Sequence, residues 1–201
     1  GCPSYAHSQP RAVRKIGTAV YCYDANGNMT KRAGSTIEYS SYNLPTVINA
    51  GSNSSTLSYG AFRNRYKQVA ASSAGTETTL YVAGLFERVT RPDGTLEYRH
   101  YIPGGQGLAA IRTRRSTGIH SSYIWHADHL GSPEVITDAS GGNALRLSFG
   151  AYGERRDGSD WSGPPGAADL TAIGNITRRG FTGHEHLDSV GLIHMNGRVY
   201  D

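Results

Sequence analysis

The stretch TAVYCYDANGNMTKR, residues 18–32, decides how the rest of the chain is read. Apolar and polar side chains alternate up to Tyr23, as they do on a strand, where successive side chains point to opposite faces. Asn26-Gly27 is a tight-turn dipeptide, and the pattern resumes at Met29, so the stretch spells a β-hairpin. Its frame, an aromatic residue followed by two small or polar ones and a turn, comes back at Tyr39-Ser40-Ser41-Tyr42, Tyr59-Gly60-Ala61-Phe62 and Phe149-Gly150-Ala151-Tyr152. The first three copies lie 16 and 20 residues apart. That interval holds one strand–turn–strand unit, which cannot bury its apolar face until neighbouring units stack against it.

Composition agrees with many short strands. Among 201 residues there are 26 Gly and 13 Tyr, with 37% hydrophobic and 18% charged residues. Tyrosine gives such strands buried ring area with a polar tip. The net charge of +4 spreads over 20 basic and 16 acidic residues, and the densest basic run, Arg112-Thr113-Arg114-Arg115, is too short to argue for a nucleic-acid partner. No apolar run is long enough to span a membrane as a helix. Cys2 and Cys22 are either one disulfide or two free thiols, which leaves the compartment open.

Residues 1–15, with Pro3 and Pro10 and no periodicity, read as a poorly ordered lead-in. From residue 76 the strand pattern continues through a turn at Pro92-Asp93-Gly94 into a strand that sets Leu96, Tyr98 and His100 on one face. Another hairpin turns at Ser140-Gly141-Gly142-Asn143. Residues 157–178 break the rhythm with Gly, Pro and Asp and read as one long inserted loop, pinned by Trp161. Helical spacing is confined to residues 167–173, where Asp169 and Thr171 leave a short helix marginal. An abrupt end at Tyr200-Asp201 and a start without Met suggest a piece of something larger.

Two stretches carry chemistry-bearing side chains: HADHLGS at 126–132 and GHEHLD at 183–188. His126, His129, His184 and His186 are the candidate metal ligands, since imidazoles from two hairpins can converge on a tetrahedral ion. On a strand, however, positions i and i+3 face opposite ways, so His126 and His129 could share an ion only across a turn. Asp128 or Glu185 with a histidine could serve as acid and base, and Ser132 as a nucleophile, but Ser132 lacks a strained Gly-x-Ser-x-Gly elbow. The plainer reading makes these residues hydrogen-bonding partners at a bend, with Leu130-Gly131-Ser132-Pro133 supplying the turn and Asp128 accepting backbone N–H groups.

Four segments in order, the Tyr-Asp-x-x-Gly-Asn motif at 23–28, YIWHADHLGSPEVITDASGGN at 123–143, LSFGAYGERR at 147–156 and RGFTGHEHLDSVGLIHMNGRVYD at 179–201, together resemble the YD-repeat (RHS) family and its RHS-repeat-associated core. The motif positions are Tyr23, Asp24 and Gly27; Asp128, His129, Leu130, Gly131 and Ser132; Gly183 and Glu185; Gly191 and Leu192; and Arg198, Tyr200 and Asp201. The second and third repeats depart from it, with Ser40 and Gly60 in place of Asp. The resemblance implies an all-β fold of antiparallel hairpin repeats forming part of a β-shell, with little helix. It divides the chain into YD-repeat hairpins over 16–118 and an RHS-associated core segment over 119–201, cut before the family's self-cleaving aspartates. On this view the chain is not an enzyme and takes no cofactor. It would be the wall of a secreted or surface-exposed bacterial toxin that encloses a C-terminal toxic domain. Its partners would be the rest of the shell, that toxic domain, and a toxin-complex or secretion-system component. Two other readings are carried forward: an extracellular module that binds glycans or a cell-surface partner, marked by Tyr98, Tyr101 and Tyr123 exposed together, and a metal-dependent or aspartyl hydrolase, marked by two carboxylates or three ligands converging in a cleft.

Overall fold

The computed structural model describes Cys2, residues 12–105 and residues 107–200; most of the expected lead-in and the motif residue Asp201 lie outside the described residues. Fourteen strands pair strictly in sequence order in one antiparallel meander. They are β1 (Lys15–Ile16), β2 (Ala19–Tyr23), β3 (Met29–Arg32), β4 (Ser35–Tyr39), β5 (Pro45–Ala50), β6 (Asn53–Tyr59) and β7 (Arg65–Ser72). They continue as β8 (Gly75–Val82), β9 (Phe86–Thr90), β10 (Leu96–Gly104), β11 (Gly107–Arg115), β12 (His120–Ala127), β13 (Pro133–Asp138) and β14 (Asn143–Arg146). The remaining chain folds back over one face: a two-residue ladder of β15 (Ser148–Phe149) with β16 (Arg155–Arg156), a helix α1 (Ala167–Ile176), and a small sheet of β17 (Glu185–Leu187), β18 (Leu192–His194) and β19 (Val199–Tyr200). Cys2 and Cys22 are joined by a disulfide, which decides between the two alternatives the sequence left open.

Among the described residues nine five-residue turns are built alike, beginning at Asp24, Ser40, Gly60, Arg91, Arg115, Asp128, Asp138, Gly150 and Gly180. In each, the first N–H donates to the fifth carbonyl and the fourth N–H donates to the first carbonyl, at 2.7–3.1 Å. The fourth residue always has a φ between 60° and 88°. This is a type I turn closed by a bulge whose left-handed residue favours glycine. Seven of the nine have Gly there; Asn43 and Arg63 are the exceptions. Asn adopts that region readily, whereas a long side chain such as Arg63 costs about 1 kcal/mol.

The aspartate of the motif acquires a specific job in these turns. Asp24 Oδ1 accepts the N–H groups of Asn26 and Asn28, Asp128 Oδ1 those of Leu130 and Ser132, and Asp138 Oδ1 those of Ser140 and Gly142, all at 2.8–3.0 Å. Ser40 does the same more weakly through Oγ, with both distances 3.3 Å. Where Asp is replaced by Gly60, the backbone bonds alone still close the turn.

Two apolar clusters fasten the returning segment to the sheet. Ile173 and Ile176 of α1 pack with Tyr101, Ile111, Trp125, Ile136 and Leu145. Leu187, Val190 and Leu192 pack with Ile37, Ile48 and Leu57. The loop expected over 157–178 is therefore a loop only in its first half. Its second half is a ten-residue helix whose buried isoleucines compensate for weak intrinsic propensity, and Gly166 N–H donates to Asp169 Oδ2 at its start. Trp161 does not pin the loop; it is 67% exposed.

On β10, Leu96, Tyr98 and His100 do share a face, but it is the outer one, where Phe86 sits against Tyr98 and His100 with ring centroids 6.3 and 4.8 Å away. The inner face carries Glu97, Arg99 and Tyr101, all buried. Burial of Tyr101, at 2% exposure, rules out the patch of three exposed tyrosines that would have marked a binding module.

Candidate functional site

Between the two apolar clusters the contact is ionic. Strands β8 to β10 alternate in and out, so Glu77, Glu87, Glu97 and Arg99 reach the side of the sheet on which the returning segment lies. Glu97, fully buried, receives Arg99 Nε at 2.6 Å, Arg115 Nε at 2.8 Å and Arg91 Nη2 at 3.2 Å. Burial opposes its ionisation, but the surrounding guanidiniums prevail and hold its pKa below the usual carboxylate value.

The returning segment plugs into this network. Arg178 reaches Glu77 at 2.8 Å, and Arg179 lies over the Tyr101 ring at 3.7 Å with Glu87 3.9 Å away. Gly174 O, in the last turn of α1, accepts from Arg91 Nη2 at 2.9 Å and Arg99 Nη2 at 2.6 Å. The carbonyls there have no partner within the helix, so the guanidiniums act as its C-cap. Thr177 Oγ1 and Tyr101 Oη share a hydrogen bond of 3.1 Å.

At the next strands the same logic holds Glu185. Arg65 forms an ion pair with Glu185 Oε2 and Tyr81 Oη donates to Oε1 at 2.6 Å. A cleft of about 890 Å³ opens beside this point, lined by Phe62, Arg65, Tyr66, Tyr81, Glu87, Arg179, His184 and Glu185 among others. Its two carboxylates are displaced in opposite directions: burial and the nearby Glu185 push Glu87 up, while Arg65 and Tyr81 overcome burial and hold Glu185 down. Such a split marks acid and base in hydrolases, and it meets the two-carboxylate requirement of the hydrolase reading. Here, however, both groups are already engaged, Glu185 as described and Glu87 by Tyr101 Oη at 3.0 Å with Arg99 at 3.7 Å. The arrangement locks the segment to the sheet.

The histidines singled out in the sequence are dispersed. His126 is exposed on β12 and meets Thr137 Oγ1 at 3.2 Å, and His129 sits exposed in the 128–132 turn. His184 closes the 180–184 turn, its Nδ1 2.8 Å from Thr182 Oγ1. His186 is buried, its Nε2 accepting the Phe181 N–H at 3.1 Å. Among the described residues no three His, Cys, Asp or Glu side chains are grouped to hold a metal ion. Ser132 is buried and its Oγ accepts the Thr182 N–H at 2.9 Å, so the turns at 128–132 and 180–184, which carry HADHLGS and the start of GHEHLD, touch. Asp128 is occupied by its own turn.

Gly183 supplies the left-handed position of the 180–184 turn, Gly191 that of the 187–191 turn, and Leu192 enters the core. Arg198 O accepts the Met195 N–H, and Tyr200 pairs with Ile193. Sequence reasoning missed Arg65, Glu77, Tyr81, Glu87, Glu97, Arg99, Arg178 and Arg179. The available signal was opposite charges two apart on a strand, as in Glu97 and Arg99, which share a face and pair.

No protein-family model matches the chain, and no curated protein is similar to it in sequence. Solved structures do match. The Photorhabdus luminescens Tc holotoxin pore with a TccC3 mutation aligns at TM-score 0.70 and 15% identity over 89% of this chain. The TcdB2-TccC3 complex aligns at 0.69 and 15%, and the same complex without its hypervariable C-terminal region at 0.70 and 14%, each again over 89%. The chain spans only 9% of the length of these solved chains. At such identities the likeness is one of fold: an all-β antiparallel sheet like that of these toxin structures, the fold class that the repeats and motifs implied.

Proposed function

We propose that this chain is a section of the wall of an exported toxin-complex shell, together with the segment that folds against its inner face, and that the shell encloses a C-terminal toxic domain. The observation that carries the reading is the fourteen-strand meander in strict sequence order with the returning segment docked on one face, matched over 89% of the chain by Tc toxin structures. The Cys2–Cys22 disulfide supports an oxidising destination. No helix among the described residues is long and apolar enough to cross a membrane. The work of such a wall is containment, done by backbone ladders and docked side chains, and its partners would be the adjoining wall and the enclosed domain.

Strands β1 and β14 stand at the two edges of the sheet, each paired on one side within it. A wall section has neighbours there, and without them unpaired edges favour association. Light scattering and thermal melting of the 201-residue chain alone should show self-association or a low melting temperature. A reversible, highly stable monomer would overturn the shell reading.

A further inference from the structure

We propose that the outer face of β9–β12 carries a binding site for a polyphosphate anion, formed by His100, Arg112, Arg114 and His120 around a cavity of about 440 Å³. The run Arg112-Thr113-Arg114-Arg115 is short in the sequence, and the fold divides it. Arg115 turns inward to Glu97, while Arg112 and Arg114 point outward and are exposed. Strand pairing then adds basic groups from elsewhere in the chain. His100 stands directly across from Arg112, and Arg114 lies between Tyr98 and His120. Arg88 flanks Tyr98 on the other side.

The charge on this face is uncompensated. The acids of β8–β12 are Glu77, Glu87 and Glu97, and all three face inward. None of Arg88, Arg112 and Arg114 has a carboxylate partner among the described residues, whereas Arg65, Arg91, Arg99 and Arg115 all do. Like charges gathered on one sheet face repel until an anion joins them. Arg112 and Arg114 sit two residues apart on one strand, about 7 Å, and each guanidinium offers a planar fork that takes phosphate oxygens in pairs. The imidazoles on either side supply further N–H donors, and the His100 ring meets Phe86 edge-on with centroids 4.8 Å apart.

The patch is also bounded. It spans four strands, about 14 Å, and is bordered by Leu80 and Val82 on β8, Leu96 and Ile102 on β10 and Ile124 on β12. A nucleic acid needs cations that continue along its backbone, and here its phosphates would run onto apolar side chains. Entry into a bilayer needs apolar groups that reach past the cations, and Ile102 and Ile124 are shorter than the arginines beside them. A compact polyphosphate matches both the extent and the charge. The inference stands on this face alone and not on the shell reading.

The test titrates the 201-residue chain with tripolyphosphate, using sulfate at matched ionic strength, an oligothymidylate and phosphatidylserine vesicles as controls. Saturable binding of tripolyphosphate is expected, at least about tenfold weaker for sulfate and weakened about tenfold by Arg112→Gln or Arg114→Gln. Lys31→Gln, on β3 and outside the patch, should leave it unchanged. The arginine variants should melt no lower than the parent chain, because both side chains are exposed and unpaired. ATP and inositol hexakisphosphate, titrated alongside, separate a nucleotide source of the phosphates from a polyol one by which binds more tightly. Absence of saturable binding, binding unchanged in both arginine variants, or tighter binding of the oligothymidylate or the vesicles than of tripolyphosphate would overturn the assignment.

Discussion

The returning segment meets the sheet in two chemically different ways. Beneath α1 and beneath β17–β18 the contact is apolar, centred on Ile111 and Ile136 in one place and on Ile48 and Leu187 in the other. Between them it is a lattice of buried ions around Glu97, Glu77 and Glu185. Apolar contacts gain from area removed from water and have no direction, so by themselves they do not fix a register. Ion pairs are directional and are costly when mismatched. The apolar ends therefore supply adhesion, and the ionic middle specifies one docking register out of several.

The largest effect should come from breaking that middle. Glu97→Gln removes the charge shared by Arg91, Arg99 and Arg115, leaving Arg91 to Glu77 and Arg99 to Glu87 alone, and urea unfolding should show a loss of about 3–5 kcal/mol, against about 0.5–1.5 kcal/mol for Ile48→Val in the apolar end. A Glu97→Gln cost below that of Ile48→Val would refute the division of labour.

Acid should attack the docked segment next. Burial lowers His186 to about 2 and His194 to about 4, with Arg155 and Arg65 respectively adding to the effect. Unfolded histidines take up protons near pH 6.5 while the folded ones do not, so stability falls as pH drops from about 6.5 toward 4. At pH 5 each contributes a loss of about 2 kcal/mol. Glu185, held low, adds to the loss only as pH falls through the carboxylate range, and Glu87, held high, acts in the opposite sense. Protease digestion at pH 7 and pH 5 should release fragments from the 178–200 region first, and His194→Gln should blunt the pH dependence; equal resistance at both values would exclude it.

Smaller changes test the turns rather than the docking. Asp128→Ala and Asp24→Ala each remove two hydrogen bonds to backbone N–H groups and should cost about 1–2 kcal/mol, measured by melting. Asn43→Gly should be nearly neutral and Arg63→Gly should stabilise by about 0.5–1 kcal/mol, since both positions are left-handed.

Much of the fold was legible because turns are local. Asn26-Gly27, Gly131 and Gly141 announce themselves, since a left-handed residue and an aspartate three positions before it are set by nearest neighbours. The turn beginning at Arg91 was legible through Pro92-Asp93-Gly94 instead, whereas the one at Arg115 was harder to see because it does not begin with the motif's Asp. Helix α1 was marginal in the sequence because its stability comes from Ile173 and Ile176 packing on strands far away in the chain. The histidines drew notice as chemistry, yet His186 serves as a backbone acceptor and His184 meets Thr182 Oγ1 at 2.8 Å.

By itself, then, the amino-acid sequence determined that this protein is a succession of antiparallel hairpins, since alternation and turn residues act over a few positions. Only the tertiary structure decided that Glu97 and Arg99 face inward while Leu96 and Tyr98 face out. It also decided that Arg65 and Glu185, 120 residues apart, form one ion pair. The reason is that a strand's alternation says which residues share a face, whereas which face is buried depends on what lands on it, and that is settled by a segment far along the chain.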